Sequence, residues 1–239
     1  MGQMRQGKST ERAAQGRTHL NADRHRFVEV NISKEEIKRR YARLSRTYDF
    51  WGLLTESKGS ARALKLACVR DGECVLEVAA GTGTVFEKIL RLNPSGKNAG
   101  IDLSLEMLER ARKRLAGRFS NYTLAAGDAY SLSNPDESVD LLVCNYMFDL
   151  LPEEDFPKIL REFARVLKPK GRIAITTMTS GNRWDSRFWN WLVRVAPKAL
   201  QGCRPVSLEE DLRNTGFKNV KVEHVYQFTF PSLVLYAQR

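Results

Sequence analysis

The amino-acid sequence predicts an α/β fold: a largely parallel sheet with helices on both faces, closed by one antiparallel hairpin. Three observations predict it. Apolar runs at 74–79, 98–102, 122–126, 139–145 and 172–178 alternate with helical segments near 83–92, 104–117 and 154–167. That alternation is the order in which parallel strands are joined by crossover helices. A glycine-rich turn follows the first run and leads straight into a helix. The chain ends in two strand-like runs, 221–228 and 232–239, with only Thr229, Phe230 and Pro231 between them. No crossover helix fits in that gap, so the last two strands are expected to be antiparallel.

In chain order, residues 1–26 are polar and aperiodic, and read as a disordered basic tail. Residues 27–58 read as an N-terminal helical cap. Ser33 and Glu36 form a capping-box pattern, with Ile32 and Ile37 as its hydrophobic staple. Ile37, Tyr41, Leu44 and Tyr48 then recur at helical spacing over about 14 residues. A further helix is expected over 59–70, opening a main domain that runs from 59 to 239. Ser104 is the expected N-cap of the helix at 104–117. Ser207 and Glu210 are a second capping-box pattern, placing the last helix at Ser207. Residues 179–206 read as an insertion that could cover a substrate.

Length and composition narrow the class. At 239 residues and 27.3 kDa the chain is one domain with an appendage, and 42% hydrophobic content is enough for a core. Mean hydropathy is −0.41, and no stretch approaches the roughly 18–20 apolar residues of a spanning helix, which excludes a transmembrane protein. The N-terminus has no apolar segment of the kind a secretory signal needs. Gln6 stands where myristoylation needs Ser or Thr. The net charge is +11. Residues 1–47 hold 12 Lys and Arg against 5 Asp and Glu, so most of the excess is N-terminal. Such a segment suits nucleic acid or an anionic membrane surface, and equally a solvated tail. Cys68, Cys74, Cys144 and Cys203 form no C-x-x-C pair, and His19, His25 and His224 have no metal-site spacing. Reduced thiols in a cytoplasmic protein without a metal are expected.

The chemistry concentrates at strand ends. Val75-Leu76-Glu77-Val78-Ala79-Ala80-Gly81-Thr82-Gly83-Thr84 is an apolar strand with an acid near its end, then a glycine turn. Gly81 and Gly83 allow positive φ and close approach of a ligand. A carboxylate at Glu77 does nothing for a pyrophosphate, but it suits a ligand carrying cationic ammonium and sulfonium groups. Asp102, at the end of Gly100-Ile101-Asp102-Leu103-Ser104, lies where an acid accepts both ribose hydroxyls. Phe86 occupies the third glycine position of G-x-G-x-x-G, so a nicotinamide-dinucleotide fingerprint is incomplete. Gly127-Asp128-Ala129 follows the third strand, where Asp128 could accept from an adenine amino group or simply shape a turn. The fourth strand runs into Asn145-Tyr146-Met147-Phe148-Asp149. Asp140 reads as a residue that starts that strand.

These pieces resemble the class I S-adenosylmethionine-dependent methyltransferases. The similarity is to the subgroup of menaquinone and ubiquinone C-methyltransferases. It runs from Tyr41 to about Met178, and the closing hairpin also matches. It includes Tyr48-Asp49, Glu77 to Gly83, Gly100 to Ser104, Gly127-Asp128-Ala129, Val139 to Pro152 and Leu160 to Gly171. The resemblance implies a Rossmann-like seven-stranded methyltransferase sheet and S-adenosyl-L-methionine as cofactor. By position, Glu77, Ala79, Gly81 and Gly83 would line the methionine part. Asp102 and Leu103 would hold the ribose, with Met107, Asp128 and Ala129 around the adenine. Asn145 and Tyr146 would sit beside the sulfonium, and Tyr48 would cover the cofactor. Ala79 departs from the commonest pattern, which has glycine there.

The acceptor is expected to be small or lipophilic: a quinone precursor, lipid head group, thiol or amine. In the 179–206 segment Trp184, Trp189 and Trp191 cluster with Phe188, Leu192 and Val195, interleaved with Arg183, Arg187, Arg194 and Lys198. This pattern fits a lid over an apolar ligand or a peripheral membrane contact. It equally fits a helix packed on its own domain or in a homodimer. An RNA or protein acceptor is the alternative, disfavoured because Asn145-Tyr146-Met147-Phe148 matches the N-P-P-Y motif only at Asn145. A non-catalytic or dinucleotide-binding protein is the second alternative. Asp149 falls where relatives carry a substrate-facing residue, and it fits either a general base or a cap for the following helix.

Overall fold

The computed structural model describes residues 57–180, 191 and 203–239. The tail, nearly all of the expected helical cap with Tyr48, and most of the 179–206 segment lie outside the described residues. Seven strands form one sheet: β1 (Cys74–Val78), β2 (Lys97–Asp102), β3 (Tyr122–Ala126), β4 (Val139–Asn145), β5 (Leu167–Met178), β6 (Lys218–Gln227) and β7 (Phe230–Gln238). Their order across the sheet is β3-β2-β1-β4-β5-β7-β6. The five strands β1 to β5 pair in parallel, and β7 runs antiparallel to both β5 and β6.

Helices α1 (Ser57–Ala67), α2 (Thr84–Leu92), α3 (Leu105–Leu115), α4 (Phe156–Val166) and α5 (Glu209–Asn214) flank the sheet. The side-chain alternation of a strand explains the two layers. On β4, Leu141 and Val143 pack with Ala63, Leu64, Phe86 and Ile89 of α1 and α2. Leu142 and Cys144 pack on the opposite side with Ile159, Leu160 and Phe163 of α4 and Leu212 of α5. Both faces are covered, so the central strands read as unbroken apolar runs.

The structure refines several boundaries. Ser104 caps α3, accepting a hydrogen bond from the Met107 amide at 3.3 Å. The segment expected at 154–167 opens as a 3-10 turn (Glu153–Asp155) before α4, with Pro157 in the first turn of α4, where its missing amide costs nothing. The Ser207–Glu210 capping box does not form: α5 begins at Glu209, with Leu208 at the N-cap and no side-chain cap. Leu208 and Val206 are buried in the core, so packing rather than capping sets that start. Asp140 starts β4 by accepting from the Cys74 amide at 2.9 Å and pairing with Lys168 at 2.8 Å. Phe86 is fully buried and meets Tyr122 edge-on, with ring centroids 6.1 Å apart.

The hairpin is tighter than the sequence implies. β7 extends back to Phe230, which pairs with Gln227, so the loop is only Phe228 and Thr229. Both have positive φ, 45° and 69°. A two-residue turn of this hand matches the twist of the strands but normally uses Asn or Gly.

Gln227, buried at the end of β6, caps α1 from 170 residues away. The Lys58 amide donates to Gln227 Oε1 at 2.6 Å, and Gln227 Nε2 donates to Ser57 Oγ at 3.0 Å. Replacing Gln227 by Ala should therefore lower the unfolding free energy by about 1 kcal/mol, read as a shift in the urea midpoint at constant slope.

Candidate functional site

The site lies where β1, β2 and β4 end. After Val78 the chain turns through Ala79 (φ 60°), Gly81 (φ 54°) and Gly83 (φ 79°), and Gly83 is the N-cap of α2. The Ala80 amide donates to the Ile101 carbonyl at 2.9 Å and the Gly83 amide to the Ala80 carbonyl at 3.0 Å. Two glycines are needed for different reasons. A Cβ on Gly83 would lie 3.0 Å from the Ala111 Cβ, whereas a Cβ on Gly81 would project into open space. Gly83 thus serves the packing of α2 on α3, and Gly81 keeps a cradle clear.

Asp102 organises the turn. Its Oδ2 accepts from the Gly81 amide and its Oδ1 from the Ser104 amide, both at 2.8 Å. Burial raises the Asp102 pKa, and the amides of Ser104, Gly81 and Leu103 oppose that rise. Glu77 lies beneath the turn, only 2% exposed. Burial pushes its pKa well up, the Asp102 charge adds to the rise, and Asn145 and Lys88 oppose it. Glu77 Oε2 and both polar atoms of the Asn145 amide are buried without a hydrogen-bond partner among the described residues. Such groups are costly to leave unsatisfied, and two side chains holding three of them at one spot favour a polar or cationic occupant.

These groups border a cleft of about 860 Å³, open to solvent. Of the residues singled out in the sequence, Ala79, Gly81, Asp102, Leu103, Met107, Asp128, Ala129, Asn145 and Tyr146 line it. Glu77 and Gly83 sit behind the lining. Sequence reasoning missed Val78, Ser104, Gly127, Tyr130, Met147, Leu150 and Leu151. Tyr130 could have been found from its place two residues after Asp128. Its hydroxyl donates to Asp155 at 2.7 Å, and its amide donates to Asp128 Oδ1 at 3.1 Å. The apolar trio Met147, Leu150 and Leu151 lies in the Val139 to Pro152 segment that carries the resemblance, but no site role was assigned to it.

Tyr146 and Asp149 leave the cleft differently. Tyr146 has φ 51° and lines the cleft, while its hydroxyl reaches Ser232 Oγ at 2.8 Å. Gly59 of α1 packs so close that a Cβ there would lie 2.4 Å from that hydroxyl. Asp149 is fully buried and is not part of the cleft wall. Its Oδ2 accepts from the Met178 amide at 2.9 Å, and its carbonyl accepts from the Arg204 amide at 3.2 Å. The structure therefore does not bring Asp149 to where an acceptor would meet it. Among the described residues no cluster of three His, Cys, Asp or Glu could hold a metal.

A sheet of this order, with a glycine turn after β1 and a carboxylate ending β2, defines the Rossmann-like methyltransferase class. Residues 75–171 match the family described as "Methyltransferase domain". A demethylmenaquinone methyltransferase of Thermotoga maritima is 33% identical over 68% of this chain and 71% of its own. The corresponding enzyme of Lactobacillus johnsonii is 25% identical over 79% of this chain and 87% of its own. A SAM-dependent methyltransferase from Aquifex aeolicus shares the fold, with a TM-score of 0.60 and 21% identity, covering 87% of this chain and 99% of that one. The chain belongs to the class I S-adenosylmethionine-dependent methyltransferases and resembles their menaquinone and ubiquinone C-methyltransferases.

Two outcomes follow from the turn. Ala79→Gly removes left-handed strain of about 1–2 kcal/mol at a chain-entropy cost of about 0.4–1 kcal/mol. Stability measured by urea unfolding should then rise by up to about 1 kcal/mol. Glu77 has a raised pKa in the folded state, so the folded chain binds more protons than the unfolded one. Stability of the ligand-free protein should fall as pH rises from about 4.5 through that raised value. Glu77→Gln should flatten this dependence and leave the ligand-free protein at least as stable at pH about 7, seen in urea midpoints across a pH series.

Proposed function

We propose that this enzyme transfers a methyl group to a small or lipophilic acceptor of the quinone-precursor kind, and that the cleft beside Gly81 holds S-adenosylmethionine. The observation that carries this reading is a pair of carboxyls at a largely apolar cleft, Asp102 in its wall and the buried Glu77 just behind it. The residues fit the cofactor. The buried Glu77 and Asn145 atoms that lack partners suit a cationic amino-acid end, and the open direction at Gly81 leaves room for it. Asp102 would take the ribose hydroxyls, and Asp128 would accept from the adenine amino group. Leu103, Met107 and Ala129 would supply apolar contact to the adenine.

Bound there, the cofactor supplies a methyl group already activated by the sulfonium charge. The protein's share is alignment and the exclusion of water. Asn145 and Tyr146 stand at the edge where the methyl would be presented. Met147, Leu150 and Leu151 form an apolar wall beyond them, which suits an aromatic or hydrocarbon-bearing acceptor and desolvates its nucleophilic atom. Asp149 acts as a positioning residue, tying the loop after β4 to the end of β5. Residues 59–239 form the catalytic domain in this reading. The names of the two demethylmenaquinone methyltransferase relatives support the acceptor class.

Asp102→Ala should weaken S-adenosylhomocysteine binding by about 10- to 100-fold in calorimetry, the worth of hydrogen bonds to a charged group. Unchanged affinity would remove the ribose assignment. Methyl-labelled S-adenosylmethionine, incubated with the protein and a nuclease-treated cell extract, should put label into the organic phase. Label confined to the aqueous phase would sink the lipophilic acceptor.

A further inference from the structure

We propose that the corner formed by α1 and the β6–β7 hairpin docks on an anionic lipid bilayer and turns the cleft toward it. This deepens the reading above, because it rests on a lipophilic acceptor. The hairpin tip carries Phe228, which is 75% exposed. It sits with Thr229 in a turn where both residues have positive φ. A left-handed non-glycine residue costs about 1–2 kcal/mol, and Asn or Gly would relieve it. Strain held at an exposed aromatic marks a residue kept for contact rather than for folding.

The tip lies at the cleft end of the sheet. Ser232 of β7 pairs with Met178 at the end of β5 and holds the hydroxyl of Tyr146, which lines the cleft. Leu105, 60% exposed, follows the cleft residue Ser104 on the other side of the mouth.

The charge beside the tip is basic. α1 carries Lys58, Arg62 and Lys65 and no acidic residue. The spacing puts all three on one side of the helix. Gln227, which caps α1 at Lys58, is the residue just before Phe228. Arg62 is bound by Glu223 of β6 at 2.5 and 2.7 Å. Lys58 and Lys65 are exposed. Among the described residues, α1 thus sets Lys58 beside the protruding phenyl ring and Lys65 two turns further along, with Arg62 between them paired to Glu223. A bilayer with anionic headgroups complements both parts, taking the ammoniums at the phosphates and the ring below them. A nucleic acid fits less well. Base stacking needs an aromatic platform along a basic groove, and here the exposed ring stands at the tip of a turn.

The test uses the full chain and vesicle flotation, with vesicles of phosphatidylcholine alone or of phosphatidylcholine and phosphatidylglycerol in equal parts. Binding is expected only to the anionic vesicles and should weaken with salt. Lys58→Ala and Lys65→Ala should each reduce vesicle affinity about fivefold. Phe228→Asn should reduce it about tenfold or more while raising the thermal midpoint. S-adenosylhomocysteine affinity should be unaltered in all three. The proposal is overturned if wild type ignores the anionic vesicles, if the variants bind them as well as wild type does, or if the same residues retain RNA and not vesicles. The vesicle assay contains no methyl acceptor. Its failure alongside an organic-phase methylated product would therefore remove the docking surface and leave the acceptor class standing.

Discussion

The site depends on one carboxylate bridging two amides. Asp102 ends β2, yet its two oxygens hold the Gly81 amide of the turn after β1 and the Ser104 amide that opens α3. This clamp ties the first strand–helix junction to the second. The turn after β1 contains three residues with positive φ, one of them an alanine, and such backbone persists only where its surroundings over-determine it. Asp102 and the Ala80–Ile101 backbone bond supply that constraint. The carboxylate that shapes the cradle is thus also a wall of the cleft.

Electrostatics then distinguish this cleft from a mere gap between strand ends. Glu77 is buried and Asp102 half-buried, and two effects make ionisation of Glu77 harder: its own burial by removing water, and Asp102 by its charge. A cationic ligand would reverse both effects at once, since it stabilises the ionised forms that the empty protein disfavours. Asn145 belongs to the same arrangement, because its side chain lies beside Glu77 and favours the ionised carboxyl.

The acceptor side is built by packing. The loop after β4 is pinned by Phe148, whose ring meets Phe156 at 5.2 Å and Phe163 at 6.1 Å, both edge-on. Asp149 adds a hydrogen bond to the end of β5. This anchoring presents Tyr146, Met147, Leu150 and Leu151 along one wall. α1 backs this wall, with Gly59 against the Tyr146 hydroxyl and Gln227 of β6 as its cap.

Much of this was legible in the sequence, because local rules decide it. Alternating apolar runs, the glycine turn, the acid ending β2 and the short gap before the last strand each report on neighbours only a few residues apart. They were enough for the sheet, its hairpin and the cleft residues Gly81 and Asp102, while the family resemblance implied Ala79, Leu103, Met107, Ala129, Asn145 and Tyr146. Tertiary structure decided the rest, where the partners are distant in the chain. Ser207 and Glu210 have the pattern of a cap, but burial of Leu208 sets the start of α5. Asp149 fits either a base or a helix cap from its position, and the structure places it inside, accepting from the Met178 amide. Gln227 gives no local sign that it caps a helix 170 residues away, and nothing local tells that Met147, Leu150 and Leu151 turn toward the cleft. Capping patterns and turn residues are read from backbone geometry over a few bonds, whereas burial and long-range hydrogen bonds exist only once the sheet has brought those residues together.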